Sequence, residues 1–437
     1  MNLYKSLLLG VVITFTSNGY SQELDETQTY NFTLEDCLQY AMGNSLQRQS
    51  LLLSEQSTEA QYQQSKKNKL PSVSASAGET MSHSGTNNSD IVYSGNVGVN
   101  ASMTLYQGGN IKNTIEQNRL QSEKQKVQTS QYDDNLTIQI LNQYLTALSC
   151  KERLNYQGGI MESSRQQLAR GEKRFEVGAI IESDYLLLKA QYESDKADSL
   201  NSAISLENAL LNLKQLMSMD PDAILEIQAP DTSTIAEMAL LPNQSDVVVK
   251  AKEHMPDMIL AKSTVEIANT TLEIAKSGRR PTVTASASVG TRHNDFENMG
   301  DQLKNSFNQS LGVNVSIPIF DRGSNKLQVT RSKIQQQQAE LDLAQTEIDI
   351  SRTVVNQYRA TTLEYQRYLA YETRKDAYSK SFGAYQKRFE VGSLVAVELL
   401  QQQNNYINVL NEYINAKYSF ILNRKILDVY TGEAMGF

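Results

Sequence analysis

The chain reads as a mixed α and β membrane protein made of two tandem copies of one unit, with very long helices and strands that must close a barrel with other copies. Three observations predict this. The hexapeptide Lys173 to Gly178 recurs letter for letter as Lys387 to Gly392. The seven prolines leave 72–220 and 319–437 free, which admits long helices there. Finally, four segments of about 10 residues alternate apolar with small polar side chains, the length at which a tilted strand crosses a bilayer.

Composition sets the limits. At 437 residues the chain is too long for one compact core, so several lobes or an elongated shape are expected. Hydrophobic residues at 40% and charged residues at 21% suit a folded protein, while a mean hydropathy of −0.45 leaves much polar surface. The 41 Lys and Arg against 49 Asp and Glu leave a net charge of −8, so no broad basic surface for nucleic acid is expected. Cys37 and Cys150 fit neither a disulfide framework nor a four-ligand zinc site and read as small buried hydrophobes.

The elements follow in order. Leu7 to Phe15 is apolar but too short to span a bilayer, and Gly19-Tyr20-Ser21 offers small residues for a cut, so 1–21 reads as a secretory signal. No cysteine follows closely, so no lipid anchor is expected. Thr33 caps a helix over 33–69, with Asp36 in its first turn, and Pro71 stops it. The period then changes to two. Val97, Val99, Met103 and Leu105 alternate with Gly98, Asn100, Ser102 and Thr104. Gly108-Gly109 turns the chain into a helix that runs to about 172, with Gly158-Gly159 as a candidate bend. A turn at Gly178 and a returning helix complete the first copy, placed within 22–217 with its strand pair near 71–106.

Residues 218–255 gain Asp, Ser and Thr, lose periodicity and hold three prolines, with a fourth at Pro256 just beyond, so they read as a linker. The second copy spans 256–430, with a strand pair near 281–320 and a tail at 431–437. There Leu311, Val313, Val315, Ile317 and Ile319 form the strongest apolar alternation. The returning helix carries a seven-residue repeat, with Leu400, Ile407, Ile414 and Ile421 in one row and Leu399, Tyr406, Tyr413, Phe420 and Leu427 beside it, which predicts coiled-coil packing. The counterpart from Tyr185 to Leu213 is patchier, so looser contacts are expected.

The odd-numbered strand face suits lipid and the even-numbered face suits water. A soluble sheet would need apolar partners over it, yet the helices are rich in Gln, Asn and Ser. Four strands cannot close a barrel, and unpaired backbone groups in lipid cost several kcal/mol each. Three copies would supply twelve strands, so a homotrimer is the simplest reading. Tyr93, Tyr106, Phe307 and Phe320 are candidates for interfacial aromatics. His83, His254 and His293 stand apart from one another, and no metal, cofactor or catalytic constellation emerges. The rival reading, a secreted soluble coiled-coil structural or adhesive protein, accounts for the helices and the signal but not for the paired strands.

The duplication, the Pro-led strand pairs and the Arg-Phe-Glu-Val-Gly turns resemble the TolC-type outer-membrane efflux protein family over nearly all of the mature chain. The resemblance implies a homotrimer whose twelve-stranded β-barrel in outer-membrane lipid is continued by a periplasmic α-helical barrel. It implies an exit duct for efflux or type I secretion, with a periplasmic adaptor and an inner-membrane transporter as partners. It places Val177, Gly178, Val391 and Gly392 at helix-hairpin tips where an adaptor docks, and Asp184 and Glu398 as acids around the entrance. Gln401, Leu394 and Phe389 depart from the family's latch residues, so a closed entrance held by packing more than by ion pairs is expected.

Overall fold

Each half of the chain passes from helices through a strand pair into a long helical hairpin. The structure, a computed structural model, describes residues 29–83, 92–229, 235, 238, 240–294 and 297–433. Within them the order is β1 (Thr29–Phe32), α1 (Leu34–Asn44), α2 (Leu46–Lys67), β2 (Ser72–Ser82), β3 (Val92–Gln107), α3 (Asn110–Glu176) and α4 (Glu182–Leu216). There follow β4 (Ile224–Ile227), α5 (Gln244–His254), α6 (Pro256–Ser277), β5 (Thr282–His293), α7 (Met299–Asn305), β6 (Asn308–Ser316), α8 (Ser324–Glu390) and α9 (Ala396–Thr431). The signal expected over 1–21 and the end of the tail lie outside the described residues.

Thr33 caps α1 through a capping box: its hydroxyl accepts from the Asp36 backbone N–H, and the Asp36 carboxylate accepts from the Thr33 N–H at 2.9 Å. The single helix expected over 33–69 is instead broken at Ser45. That residue is extended (ψ 114°), its side chain caps α2 at Arg48 N, and its hydroxyl shares a 2.8 Å hydrogen bond with Tyr132. In the second half, Met255 and Pro256 make the equivalent break between α5 and α6. The stretch expected to be an irregular linker carries β4 and α5.

The long helices α3 and α8 each contain 67 residues, about 100 Å at 1.5 Å per residue. Helix α3 continues uninterrupted through Gly158 and Gly159. Both begin after glycines with positive φ, Gly109 at 91° and Gly323 at 84°. Among the described residues no helix is long and apolar enough to cross a membrane.

The core is concentrated where α1, α3, α4 and α9 meet the two-stranded parallel sheet of β1 and β4. Ile140, Leu141, Tyr144, Leu148, Leu213 and Phe420 fill it, and the Tyr144 hydroxyl donates to Gln228 O at 2.6 Å. Cys37 is wholly enclosed there, and burial pushes its thiol up to about 12. Along α9, both rows of the seven-residue repeat are buried or half-buried, whereas α4 leaves Leu186, Leu200, Ile204 and Leu211 exposed. The difference in regularity between the two returning helices is thus visible in their packing.

Candidate functional site: the strand sheet and the hairpin tips

The second sheet has the order β2-β3-β5-β6, antiparallel throughout. Register lines the odd residues up across it: Ala75 with Val99, Val99 with Val289, Ala285 with Val313, and Val283 with Val315. The opposite face carries Ser, Thr, Asn and Gly, with Arg292 as its charged residue in the described strands. Val97, Val99, Val313 and Val315 are exposed, Met103 is half-buried, and Leu311 is 85% exposed. β2 and β6 are the two edges, each with a side that no described strand pairs.

Two strand-end assignments change. Leu105 is the extra residue of a β-bulge between Thr104 and Tyr106, so Tyr106 takes the register position opposite Val283. Strand β6 stops at Ser316, which leaves Ile317 and Ile319 in the connection beyond it, because Pro318 has no N–H to continue a ladder. Both remain exposed, Ile319 at 96%. Tyr106 and Phe320 stand at the helix end of the sheet, and Tyr93 and Phe307 at the other end.

His293 does not stand alone. Its Nε2 lies 2.8 Å from Glu79 Oε1 across Gly95, the residue that pairs with both in register. A Cβ at Gly95 would collide with both side chains. Nδ1 of His254 lies 3.0 Å from Lys250 O, and His83 is exposed. Among the described residues no group of three His, Cys, Asp or Glu side chains could hold a metal ion.

At the far end of the long helices, the repeated hexapeptide forms one turn used twice. Gly178 (φ 72°) follows α3, with Ala179 N–H donating to Arg174 O at 2.7 Å and Gly178 N–H to Phe175 O at 2.9 Å. Gly392 (φ 80°) follows α8 with the same pair of bonds, Ser393 to Arg388 O and Gly392 to Phe389 O. These are Schellman caps, and glycine takes the left-handed position without the Cβ penalty. Val177 and Val391 are each 78% exposed at the turns.

Asp184 and Glu398 lie in the first turns of α4 and α9, where the helix dipole favours negative charge. The fold brings both onto one groove of about 510 Å³ between the two turns, together with Arg174 and Arg388. The acids expected at the entrance therefore share their groove with two guanidinium groups. Arg174 donates from Nη1 to Phe389 O at 3.0 Å, and Arg170 pairs with Glu390 at 2.6 Å. These contacts link the two hairpins of one chain and were not legible in the sequence, because 170 and 390 meet only through the fold. Phe389 is buried with Leu188, Phe382 and Leu399, with Leu394 packed against them, so both departures from the latch pattern are spent on packing. Gln401 is exposed.

Farther along the hairpins lies a buried polar node. Asp195 of α4 is 1% exposed and accepts from Ser164 of α3, from Gln191 at 2.9 Å and from Gln403 of α9 at 2.7 Å. Burial raises its pKa, against the lowering effect of those hydrogen bonds. Sequence reasoning missed it, since an aspartate within a Gln- and Ser-rich helix carries no periodic signal.

Comparison with known proteins bears on this architecture. The profile of the family described as outer membrane efflux protein matches residues 37–218 and 247–433. The outer membrane protein TolC of Vibrio cholerae is 23% identical over 60% of this chain and 59% of its own length, and TolC of Escherichia coli 20% identical over 70% and 63%. The chain thus spans less than two thirds of these relatives. Among solved structures, CusC superimposes with a TM-score of 0.82 at 16% identity, covering 92% of each chain. The Campylobacter jejuni CmeC outer membrane channel gives 0.78 at 17%, over 91% of this chain and 85% of its own. The open state of the Neisseria gonorrhoeae MtrE outer membrane channel gives 0.76 at 18%, over 92% and 89%. At these identities the superpositions speak for the fold, and the profile, which covers most of the sequence, speaks for the family. The protein is a component of the outer membrane with a large periplasmic portion, and it belongs to the outer membrane efflux protein family.

Proposed function

We propose that the chain is an exit duct for efflux or type I secretion, working as a homotrimer that passively conducts substrates handed over by an inner-membrane transporter and a periplasmic adaptor. One observation carries this reading: a four-stranded sheet exposes an apolar face, broken at the end away from the long helices by Glu79 and His293, keeps a polar face opposite, and ends in two edges, β2 and β6, whose outer sides no described strand pairs. Edge β6 of one copy pairs with edge β2 of the next, and three copies close twelve strands with lipid outside and water inside. The two halves act as one duplicated unit, so six helical hairpins continue the barrel. The exposed apolar residues of α4 pack against a neighbouring copy.

The tips at Val177, Gly178, Val391 and Gly392 receive the adaptor, with the two valines as its apolar contacts. Asp184 and Glu398 of three copies give six carboxylates near the axis. Two carboxylates about 6 Å apart repel by about 0.7–3 kcal/mol at effective dielectrics of 80 to 20. Arg174 and Arg388 in the same groove offset part of that repulsion.

In the test, membranes are washed with salt and carbonate, the protein is extracted in detergent, and its mass and heat-dependent gel migration are measured. A trimer that appears only in detergent and conducts ions in a planar bilayer is expected. A monomer that stays dissolved in plain buffer with its sheet intact would refute the duct. Crosslinkers placed at Val177 and Val391 in cells are expected to capture an adaptor, and capture only from mid-helix positions would refute the docking assignment.

A further inference from the structure

The net charge of −8 conceals a strongly basic zone. Where helices hand over to strands (66–71 and 276–283) and strands to helices (105–112 and 316–326), there are nine Lys or Arg against one carboxylate, Asp321, leaving 32 against 48 elsewhere. Asp321 is occupied in capping α8, accepting from Gly323 N–H at 2.9 Å and Asn325 N–H at 2.7 Å. All nine cations are exposed and lie within about two helical turns of one level, at the helix end of the apolar sheet face. Next to them stand the exposed apolar residues Leu70, Tyr106, Ile319 and Phe320.

The direction of these cations can be read in part. Lys67 and Arg280 border grooves on the polar side of the sheet, beside Ser72 and Ser102 and beside Thr282 and Ser316. The other cations line neither groove. Arg279 is engaged by Asn325 Oδ1 at 3.1 Å, and Lys66 lies over the Tyr62 ring at 3.9 Å. Among the described residues, Lys69, Lys112, Arg322 and Lys326 take part in no ion pair. Exposed cations at the border of an apolar band sit at the depth of lipid headgroups, where each strengthens binding to an anionic surface.

We propose that this zone is a collar that binds the phosphates of anionic phospholipids in the leaflet on the helix side, the periplasmic one. The proposal rests on the reading that the strands form a membrane barrel. Binding is electrostatic and therefore weakens with salt. The sheet's apolar face fixes the depth of the molecule, and the collar selects which lipids surround it there.

The test uses the full-length detergent-purified trimer, titrated with phosphatidylglycerol, phosphatidylcholine or glycerol phosphate and read by native mass spectrometry. Phosphatidylglycerol is expected to be retained over phosphatidylcholine, more weakly as salt rises. Substituting Lys66→Gln, Lys69→Gln, Lys112→Gln and Lys326→Gln together should lower that preference about tenfold or more. The control substitutions Lys189→Gln and Lys380→Gln, exposed on helices remote from the sheet, should leave it unchanged. An undiminished preference in the quadruple variant would overturn the collar. So would binding of free glycerol phosphate as strong as that of the lipid, which would make this a soluble-phosphate site. A changed ion selectivity with unchanged lipid preference would place the cations on the bore and also overturn it. If the barrel reading itself were wrong, no detergent-dependent trimer would form, which is seen before any lipid is added.

Discussion

Asp195→Ala removes a carboxylate that ties three helices of one chain together. Ser164, at 2% exposure, would lose its acceptor, and Gln403, at 0%, would keep only its bond to Ser164 Oγ at 3.0 Å, while the half-buried Gln191 can turn toward water. Each orphaned buried donor costs about 1–3 kcal/mol, and relief of the buried charge offsets part of the total, so a loss of about 3 kcal/mol is expected. At 1.4 kcal/mol per factor of ten, amides near 190–200 of α4 and 400–407 of α9 should exchange hydrogen roughly a hundredfold faster, with α6 as internal reference. Asp195→Asn keeps one acceptor oxygen and should cost less. The sign with pH follows from the raised pKa. The folded state holds this proton more tightly than the unfolded one, so Asp195's favourable contribution is full below its ordinary value of 3.8 and fades as pH rises through the raised value. Protection of the node, measured relative to Asp195→Asn, should therefore improve on acidification. Exchange unchanged in Asp195→Ala would refute the view that this node joins the hairpins.

Gly108→Ala and Gly323→Ala both place a side chain at positive φ, at about 1–2 kcal/mol, but only at Gly108 would the new Cβ lie 2.6 Å from Arg280 Cβ and 2.8 Å from Ser277 O. Heat stability of the trimer on gels should fall distinctly further for Gly108→Ala, and equal losses would contradict the close approach. At the tips, Gly178→Ala meets open space whereas Gly392→Ala collides with the Arg174 guanidinium, so only the latter should loosen the Arg174 to Phe389 link, read as faster exchange at the end of α8. Removing Asp184 and Glu398 together by alanine should reduce cation selectivity in single-channel recordings, and unchanged selectivity would remove the acidic ring. Thr33→Ala should cost about 1 kcal/mol by thermal circular dichroism. Thr33's backbone N–H, and then its hydroxyl, hold the Asp36 carboxyl below its usual range, so this contribution is present above 3.8 and is lost as pH falls through the lowered value.

Much of the architecture is local in origin and could be read directly. The capping box at Thr33, the period-two alternation around Val97 and Val313, and the glycine that ends each long helix are properties of a few consecutive residues. The Schellman caps at Gly178 and Gly392 follow from one hexapeptide used twice. Reading failed where elements are broken or ended by partners distant in sequence. Ser45 divides a helix with Tyr132 on the other side of its hydrogen bond, and Leu105 becomes a bulge only against β5.

By itself the amino-acid order determined the long helices, the four strands of the larger sheet, which strand face is apolar and where the long hairpins reverse, because steric preference and side-chain period act within a few residues, whereas β1, β4, α5 and the break at Ser45 did not show in it. Only tertiary structure decided that His293 meets Glu79 over Gly95, that Arg170 reaches Glu390, and that Asp195 gathers partners from α3 and α9. Those meetings depend on register between elements as many as 239 residues apart, as for Ser164 and Gln403, and that register is set by how whole helices and strands pack.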